Sequence, residues 1–389
     1  MNLCILQNSE IDREEWNRLV RESRTGTWFQ TPEAYDFFAS QPELFHPFVV
    51  GAQSTSLNGR IEDRSLLRGV CVGYVTVEKN PLKQFVTRRA IIIGGPALAD
   101  DATDEEVEAL MKAVKDQASL RLSPEWKSVT AQNPSSKGCL RSSLCSLLLG
   151  RDGVGSPIYI ETRNFNDYSR WKNAFEKAGF SYQPHLNFHV DTSSVEAIEA
   201  NLGKSRKRDI KTTIREGVTI VSLHDLKSRL SDSDRERMVH EYYEILSSLY
   251  KTKVKTPLFP ETFFQTLANH EDARFLLTER NGAIIGGTVC VALDGKCLYE
   301  WFACGEDGVY PHVFPSCFAT YSGIRYAAEH DLSRFDMMGA GKPDEAYGVR
   351  DFKAKFGGEM VEHGRYLCIT KPILYHIGTI GVKILKKLK

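Results

Sequence analysis

Apolar residues along the chain follow two spacings, and these predict alternating helices and strands. In residues 104–120 apolar side chains recur every third or fourth position, which predicts an amphipathic helix. Apolar runs at residues 66–77 and 88–98 predict strands, and the second ends in Gly94, Gly95 and a proline. The pair Asn281-Gly282 between two apolar runs predicts a β-hairpin. The pattern is that of a mixed α/β protein.

The two halves of the chain share one order of predicted elements. Each has helices, antiparallel strands, a strand ending in a Gly- or Pro-containing loop, a helix and a closing strand, and the closing strand of the first half is predicted near residues 128–131. We therefore predict two domains, at residues 1–185 and 186–370, followed by a C-terminal tail at residues 371–389. The Ser- and Leu-rich residues 134–157 lack clean periodicity, and we interpret them as a surface insertion or a lid.

Composition indicates the class of protein and its cellular compartment, but it does not indicate the reaction. The 389 residues are 42% hydrophobic and 26% charged, as in ordinary soluble proteins, and 50 Lys and Arg balance 50 Asp and Glu. Only local clusters can therefore argue for a polyanion partner. The N-terminus has no basic region followed by an apolar core, so we predict no signal peptide. No apolar run is long enough to predict a membrane-spanning helix. Nine cysteines without a CxxC pair favour a reducing cytoplasm.

A segment near the C-terminal end, FDMMGAGKPDEAYGVRDFKAKFGG at residues 335–358, carries the first candidate chemistry. A strand end is followed by a bend containing Gly339 and Gly341, and then by a short helix that carries Lys353. Glycine bends and helix starts expose N–H groups to anions, so the segment predicts a phosphate or carboxylate site. The alternative is that its lysines are only solvated.

The densest basic cluster is GKSRKR at residues 203–208. On a helix Lys204, Arg208, Lys211 and Arg215 share one face, and such a face repels itself unless water or an anion compensates. A solvated surface and a site for a diphosphate or an RNA backbone both remain open. Alternating lysines in KTKVKTP, residues 251–257, favour an extended edge strand.

The tail has apolar residues along one helical stripe, with lysines elsewhere on the helix. Such a helix can lie on an anionic membrane surface or dock on its own domain, and both alternatives stay open. The residues of the stripe are Ile373, Ile377, Ile380, Ile384 and Leu388.

Six motifs resemble the FemABX aminoacyltransferase family, which includes looser GNAT-like and BioF2-like acyltransferase relatives. They are WFQTPEAYDFF, RRAIIIGGPAL, IETRNFND, LGKSRKRDIKTTIREGV, LYKTKVKTPLFPETFF and the 335–358 segment, in the order that the family keeps. The resemblance implies two tandem GNAT-like domains with mixed, largely antiparallel sheets flanked by helices. It also implies transfer of an amino acid from aminoacyl-tRNA to the stem peptide of a nucleotide- or lipid-linked peptidoglycan precursor.

The resemblance also implies the roles of particular residues. Lys353 matches the lysine of the family's late Phe-Lys motif, which is tied to catalysis, and Phe352 precedes it. Arg206 and Arg208 fall in the basic segment expected near the precursor phosphates, without a decision between them. The full expected substrate-binding set is Lys204, Arg206, Arg208, Lys211, Asp336, Gly339, Tyr347 and Gly348. No metal and no cofactor are expected.

The chain departs from the family pattern in two ways, and the first is the insertion at residues 134–157, which is not a family feature. The chain also lacks the long charged coiled-coil arm of staphylococcal-type members, which questions any tRNA docking by such an arm. An acyl-CoA-dependent N-acyltransferase of polysaccharide or lipid is one alternative, although the [RQ]-x-x-G-x-[GA] loop that GNAT domains use for pyrophosphate is missing. A non-catalytic precursor-binding module is the other. The tail leads us to expect a cytoplasmic protein in peripheral contact with the inner membrane surface.

Overall fold

The computed structural model describes residues 2–55, 65–78, 87–119, 156–254 and 256–387. These residues form two compact units, and the first of them is discontinuous in sequence. Unit one consists of Met1–Gln183 and Gly364–Lys389, and unit two of Pro184–His363. We describe each unit separately.

The strands and helices are numbered in chain order. The strands are β1 Asn2–Gln7, β2 Phe45–Thr55, β3 Ser65–Thr76, β4 Ala90–Gly94, β5 Ala97–Leu98, β6 Tyr159–Asn164, β7 Ser181–Gln183, β8 Leu186–Asp191, β9 Thr219–Ser222, β10 Ala273–Arg280, β11 Ala283–Leu293, β12 Cys297–Gly305, β13 Arg334–Gly339, β14 Glu359–Glu362 and β15 Arg365–Ile369. The helices are α1 Arg13–Glu22, α2 Pro32–Ala39, α3 Asp104–Ser119, α4 Lys172–Lys177, α5 Val195–Asn201, α6 Lys204–Arg215, α7 Asp232–Leu249, α8 Glu261–Ala268, α9 Pro315–Glu329, α10 Gly348–Ala354 and α11 Pro372–Lys387.

Unit one is built on a sheet in the order β1-β2-β3-β4-β6-β15-β7, with β5 beside β3. All neighbours are antiparallel except β4 and β6, which run parallel. Helix α3 packs on one face through the apolar stripe predicted for it, because Val107, Leu110 and Val114 are buried against strand residues. Every residue of β4 is buried, as expected for a central strand covered on both faces.

The strand that completes the sheet of unit one follows unit two in the sequence. β15 pairs with β6 and with β7, and the ring of Tyr366 stacks on Phe175 at 4.1 Å between centroids. From the sequence we expected residues up to 370 in the second domain. The assignment of this strand differs because its hydrogen bonds and its apolar side chains are both satisfied in unit one.

Unit two is built on a sheet in the order β14-β8-β13-β12-β11-β10-β9. All neighbours are antiparallel except β12 and β13. Helix α9 packs against this sheet, and its Gly323 leaves room for the ring of Phe335, which an added Cβ would approach to 2.7 Å.

The two sheets are mixed, largely antiparallel and flanked by helices, which confirms the predicted fold class. The predicted helix at residues 104–120 is α3. Asn281 and Gly282 both have positive φ angles, 53° and 83°, between β10 and β11, as a two-residue hairpin requires. The prediction for KTKVKTP is wrong, because Tyr250–Val254 continues α7 as a π-helical turn. The strand predicted near residues 128–131 and nearly all of the 134–157 insertion lie outside the described residues.

Candidate active site

The candidate site lies where the parallel strands β12 and β13 part. Their ladder joins Cys297–Tyr299 to Arg334–Asp336, and in the described residues it ends there. Each strand carries a bulge just beyond the ladder. On β12, Glu300 and Phe302 face the consecutive residues Cys290 and Val289 of β11, and on β13 Met337 and Met338 together face one residue of β8. Bulges redirect backbone groups near active sites.

The bulge of β13 is held by a buried carboxylate. Met338 has a φ of +57°, an uncommon conformation for a residue with a side chain. Asp336, whose exposure is 0%, accepts a hydrogen bond from the Met338 N–H at 2.7 Å and so stabilises this turn. Its other oxygen lies 3.2 Å from Nε2 of His189 on β8.

Lys353 of α10 reaches into this bulge. Its side chain is buried, and its ammonium donates hydrogen bonds to the carbonyl oxygens of Gly339, at 2.9 Å, and of Met337. An ammonium has three N–H groups, so these two bonds orient the group without exhausting it. Helix α10 therefore presents one cation at the end of the parallel ladder.

The pKa values of Lys353 and of the two carboxyl groups near it are shifted in different directions. Burial lowers the pKa of Lys353, although the charges of Glu300 and Asp336 oppose the shift. Burial raises the pKa of Glu300, whose carboxylate accepts hydrogen bonds from Thr320 at 2.9 Å and Thr288 at 3.2 Å. Burial also raises the pKa of Asp336, but His189, Arg334 and the Met338 N–H outweigh it, so that pKa is lowered.

The carbonyl groups of the glycine bend are bonded to side chains of α10, a contact that the sequence did not predict. The Arg350 guanidinium donates to the carbonyls of Ala340 at 3.1 Å, Pro343 at 3.3 Å and Lys342. The Ala340 N–H is itself bonded to the carbonyl of Leu186. The carbonyls of the bend therefore face cations of α10, and the bend serves as a support for that helix.

The other expected residues of the bend lie at its surface. Tyr347 is exposed and packs against Gly341, where an added Cβ would come within 2.9 Å of its ring. Gly348 is the exposed first residue of α10 and has open space beside it. Both positions are accessible to a ligand.

The two candidate arginines of α6 have different environments. Arg206 is buried, with its guanidinium 4.4 Å from the ring centre of Phe352 and 5.0 Å from that of Phe356. It also lies 3.5 Å from Asp209. The Arg208 side chain is 75% exposed and reaches the same Asp209 at 3.1 Å. Arg206 therefore packs α6 on α10, whereas Arg208 faces solvent.

The basic helix and the Phe-Lys helix contact each other directly. The N–H of Gly203, at the start of α6, donates to the carbonyl of Lys355, just after α10, at 3.0 Å. Lys204, Arg208, Lys211 and Arg215 are all exposed on α6, as their spacing predicted. The structure therefore packs the basic helix α6 directly on the Phe-Lys helix α10.

Sequence reasoning missed several groups of this site. Glu300 is a single acid within the apolar run CLYEWFAC, which was a usable signal because an acid in a buried strand needs a reason. His189 had no such signal, because its pairing with Asp336 depends on the register of β8 against β13. Asp307, which accepts a hydrogen bond from the Ser316 N–H at 3.1 Å, was missed because this contact depends on the path of the loop between β12 and α9.

Comparisons with known proteins agree with this architecture. A sequence profile described as "Acetyltransferase (GNAT) domain" matches residues 204–353, which include α6, β12, β13 and Lys353. The crystal structure of FemX aligns over 97% of this chain and 99% of its own, with a TM-score of 0.62 and 12% identity.

A second structure is the C-terminal domain of a protein described as a lysylphosphatidylglycerol synthetase, from Agrobacterium fabrum. It aligns over 96% of this chain and 95% of its own, with a TM-score of 0.53 and 11% identity. No curated protein sequence matches the chain.

This chain has the fold of FemX. The resemblance to the FemABX enzymes that the sequence indicated is therefore confirmed as a likeness of fold. The GNAT profile matches within unit two. Because the GNAT match contains the site described above, it supports an acyltransferase as the general class of enzyme. Within the described residues, every helix is too short or too polar to cross a bilayer.

Proposed function

We propose that this protein transfers an aminoacyl group from aminoacyl-tRNA to the stem-peptide amine of a peptidoglycan precursor. The observation that carries the proposal is the buried Lys353 ammonium, which carbonyls of β13 hold at the end of the parallel ladder. A desolvated, preorganised cation is suited to stabilise charge that develops in a transition state.

The reaction needs positioning more than protein acid–base chemistry. The neutral amine of the acceptor attacks the ester carbonyl, a C–N bond forms, and the carbonyl oxygen becomes negative. The third N–H of Lys353 stabilises this oxyanion. When the C–O bond breaks, the ribose hydroxyl of the tRNA leaves and takes the proton that the amine releases, which leaves Lys353 charged throughout.

The exposed face of α6 is suited to the diphosphate of the precursor. Lys204, Arg208 and Lys211 are solvent-accessible and lie three or four residues apart, so one bound diphosphate can contact more than one of them. Such binding would relieve the repulsion within the face. Because Arg206 is committed to Phe352 and Phe356, we assign the phosphate contact to Arg208.

The start of α9 argues for a donor other than acyl-CoA. A pyrophosphate bound at a helix start needs N–H groups and a positive dipole. Here Asp307 occupies the Ser316 N–H, and the Thr213 hydroxyl occupies the Phe314 N–H at 3.0 Å. The Asp307 carboxylate would repel a pyrophosphate. The acyl-CoA alternative therefore has to place its cofactor elsewhere.

Reconstitution with defined donors and acceptors tests the proposal. The full chain is incubated with charged tRNA or acetyl-CoA, and with nucleotide-linked precursor, lipid-linked precursor or phosphatidylglycerol, and the products are weighed by mass spectrometry. An aminoacylated precursor formed from tRNA supports the proposal. Product from acetyl-CoA alone refutes it, and precursor binding without any product identifies a binding module. Muropeptide masses from host cells with and without the protein give the corresponding test in cells.

A further inference from the structure

The first turn of helix α11 is anchored to unit one. Leu374 is buried, and the ring of Tyr375 makes an edge contact with Tyr159 on β6 at 5.7 Å between centroids. These contacts fix the direction in which the helix leaves β15. Residues 376–380, which follow these contacts, are all exposed.

An isoleucine stripe on this helix faces solvent. Ile373, Ile377 and Ile380 are 57%, 56% and 56% exposed, and their spacing of four and three residues places them on one face. The sequence continues this face with Ile384 and Leu388. The sequence left open whether this stripe docks on its own domain or on a membrane surface. The exposure of these three isoleucines argues against docking on their own domain.

The charged residues of the sequence segment that carries the stripe are all basic. Residues 363–389 contain no acid, and they carry Arg365, Lys371 and four lysines after residue 382. A second copy of this helix would bring the same cations together, so self-association is electrostatically opposed. An anionic surface with an apolar interior satisfies both the isoleucines and the lysines.

We propose that α11 binds the surface of a bilayer containing anionic phospholipids, with the stripe of Ile373, Ile377 and Ile380 inserted at the headgroup level. The helix Pro372–Lys387 is about 24 Å long at 1.5 Å per residue, shorter than a typical hydrocarbon core, so it lies in the interface instead of crossing it. The proposal does not depend on the acyl-transfer reaction. If both hold, the enzyme favours a lipid-linked acceptor.

Vesicle sedimentation tests the proposal without using activity. The full chain is mixed with vesicles of phosphatidylcholine alone, or of phosphatidylcholine and phosphatidylglycerol in equal parts. We expect binding to the anionic vesicles that weakens with salt, and at least about tenfold weaker binding when Ile377→Glu and Ile380→Glu are combined. Leu66→Glu is the matched control, because Leu66 is an exposed apolar residue of unit one, 44% exposed, outside α11.

Three results would overturn the proposal. The wild-type chain could fail to sediment with anionic vesicles, or the double isoleucine variant could sediment as the wild type does. The third result is a wild-type dimer, in the absence of lipid binding, that the double variant converts to a monomer. That outcome would assign the stripe to a second copy of the chain.

Discussion

The ammonium of Lys353 lies 2.9 Å from the carbonyl oxygen of Gly339, beyond the last paired residues of the parallel strands β12 and β13. This bond links the short helix α10 to the bulge of β13, and Asp336 holds the same bulge from the other side. The position of the cation is thus determined by backbone geometry that a change in either element would disturb.

Lys353→Ala should lower turnover by about 10²- to 10³-fold with a small change in KM, because the proposed contact forms only in the transition state. Lys355→Ala, at an exposed position two residues later, should be close to wild type. Steady-state kinetics with charged tRNA measure both. The loss of a donor to two carbonyls also costs about 1–3 kcal/mol of stability, so thermal unfolding has to accompany the kinetics. Unchanged turnover in a folded Lys353→Ala protein would remove this residue from the mechanism.

Arg206→Ala and Arg208→Ala should separate packing from binding. The first removes a guanidinium from between Phe352 and Phe356 and should lower the free energy of unfolding by about 2 kcal/mol. The second should leave stability unchanged and weaken the binding of nucleotide-linked precursor by about tenfold. Urea unfolding and calorimetric titration give the two readouts. The reverse pattern would move the phosphate contact to Arg206.

Glu161 should make unit one sensitive to acid. Burial raises its pKa, but Arg163 and Arg365, each 2.9 Å away, outweigh burial and lower it from 4.5 to about 2. Because the folded-state pKa is depressed, this stabilisation is present above about pH 4.5 and is lost as the pH falls toward 2. The shift corresponds to roughly 3 kcal/mol.

Urea unfolding between pH 7 and pH 2.5 tests this assignment. Glu161→Gln should flatten the decline in stability by most of that amount. Glu176→Gln should not, because Glu176 belongs to a surface pair with Lys172 at 3.9 Å. Parallel declines in Glu161→Gln and the wild type would show that the pair with the arginines is not the acid-sensitive element.

Gly357→Ala should destabilise the protein more than Gly282→Ala. Both glycines have a positive φ, 80° and 83°, and so share the cost of about 1 kcal/mol for a side chain in that conformation. At Gly357 the new Cβ would also lie 2.3 Å from the carbonyl oxygen of Asn201, whereas nothing lies within 4 Å at Gly282. We expect roughly 2 kcal/mol of additional loss in thermal unfolding. Equal losses of stability in the two variants would show that α5 and the residues after α10 can shift at little cost to accommodate the new Cβ.

Local patterns predicted the parts of this protein that depend on neighbours in sequence. Helix α3 and the hairpin at Asn281 were readable in this way. The choice between Arg206 and Arg208 was also encoded, because Arg206 precedes the buried Ile210 by four residues and so shares its helical face. Apolar spacing around a basic cluster is therefore as informative as the charges themselves.

The pairing of strands that lie far apart in the sequence could not be predicted from local patterns. The side-chain contact between Arg365 and Glu161 joins residues separated by 204 positions, and no local pattern specifies which of several edges β15 completes. The two carbonyls that hold Lys353 depend on a bulge whose position follows from the register of β13 against β8. The identity of the lysine could be predicted from the sequence, whereas its environment required the fold.

The late origin of β15 has a consequence for synthesis on the ribosome. Strands β6 and β7 are complete by Gln183, but the strand that lies between them begins at Arg365. At about 5–20 residues per second, roughly 10–40 s pass while unit two emerges and unit one waits with two open edges. Unit two, which is continuous in sequence, can close first. During this period the sheet of unit one is incomplete while unit two can already be folded. The unpaired edges of β6 and β7 are then accessible to chaperones or to incorrect strand partners.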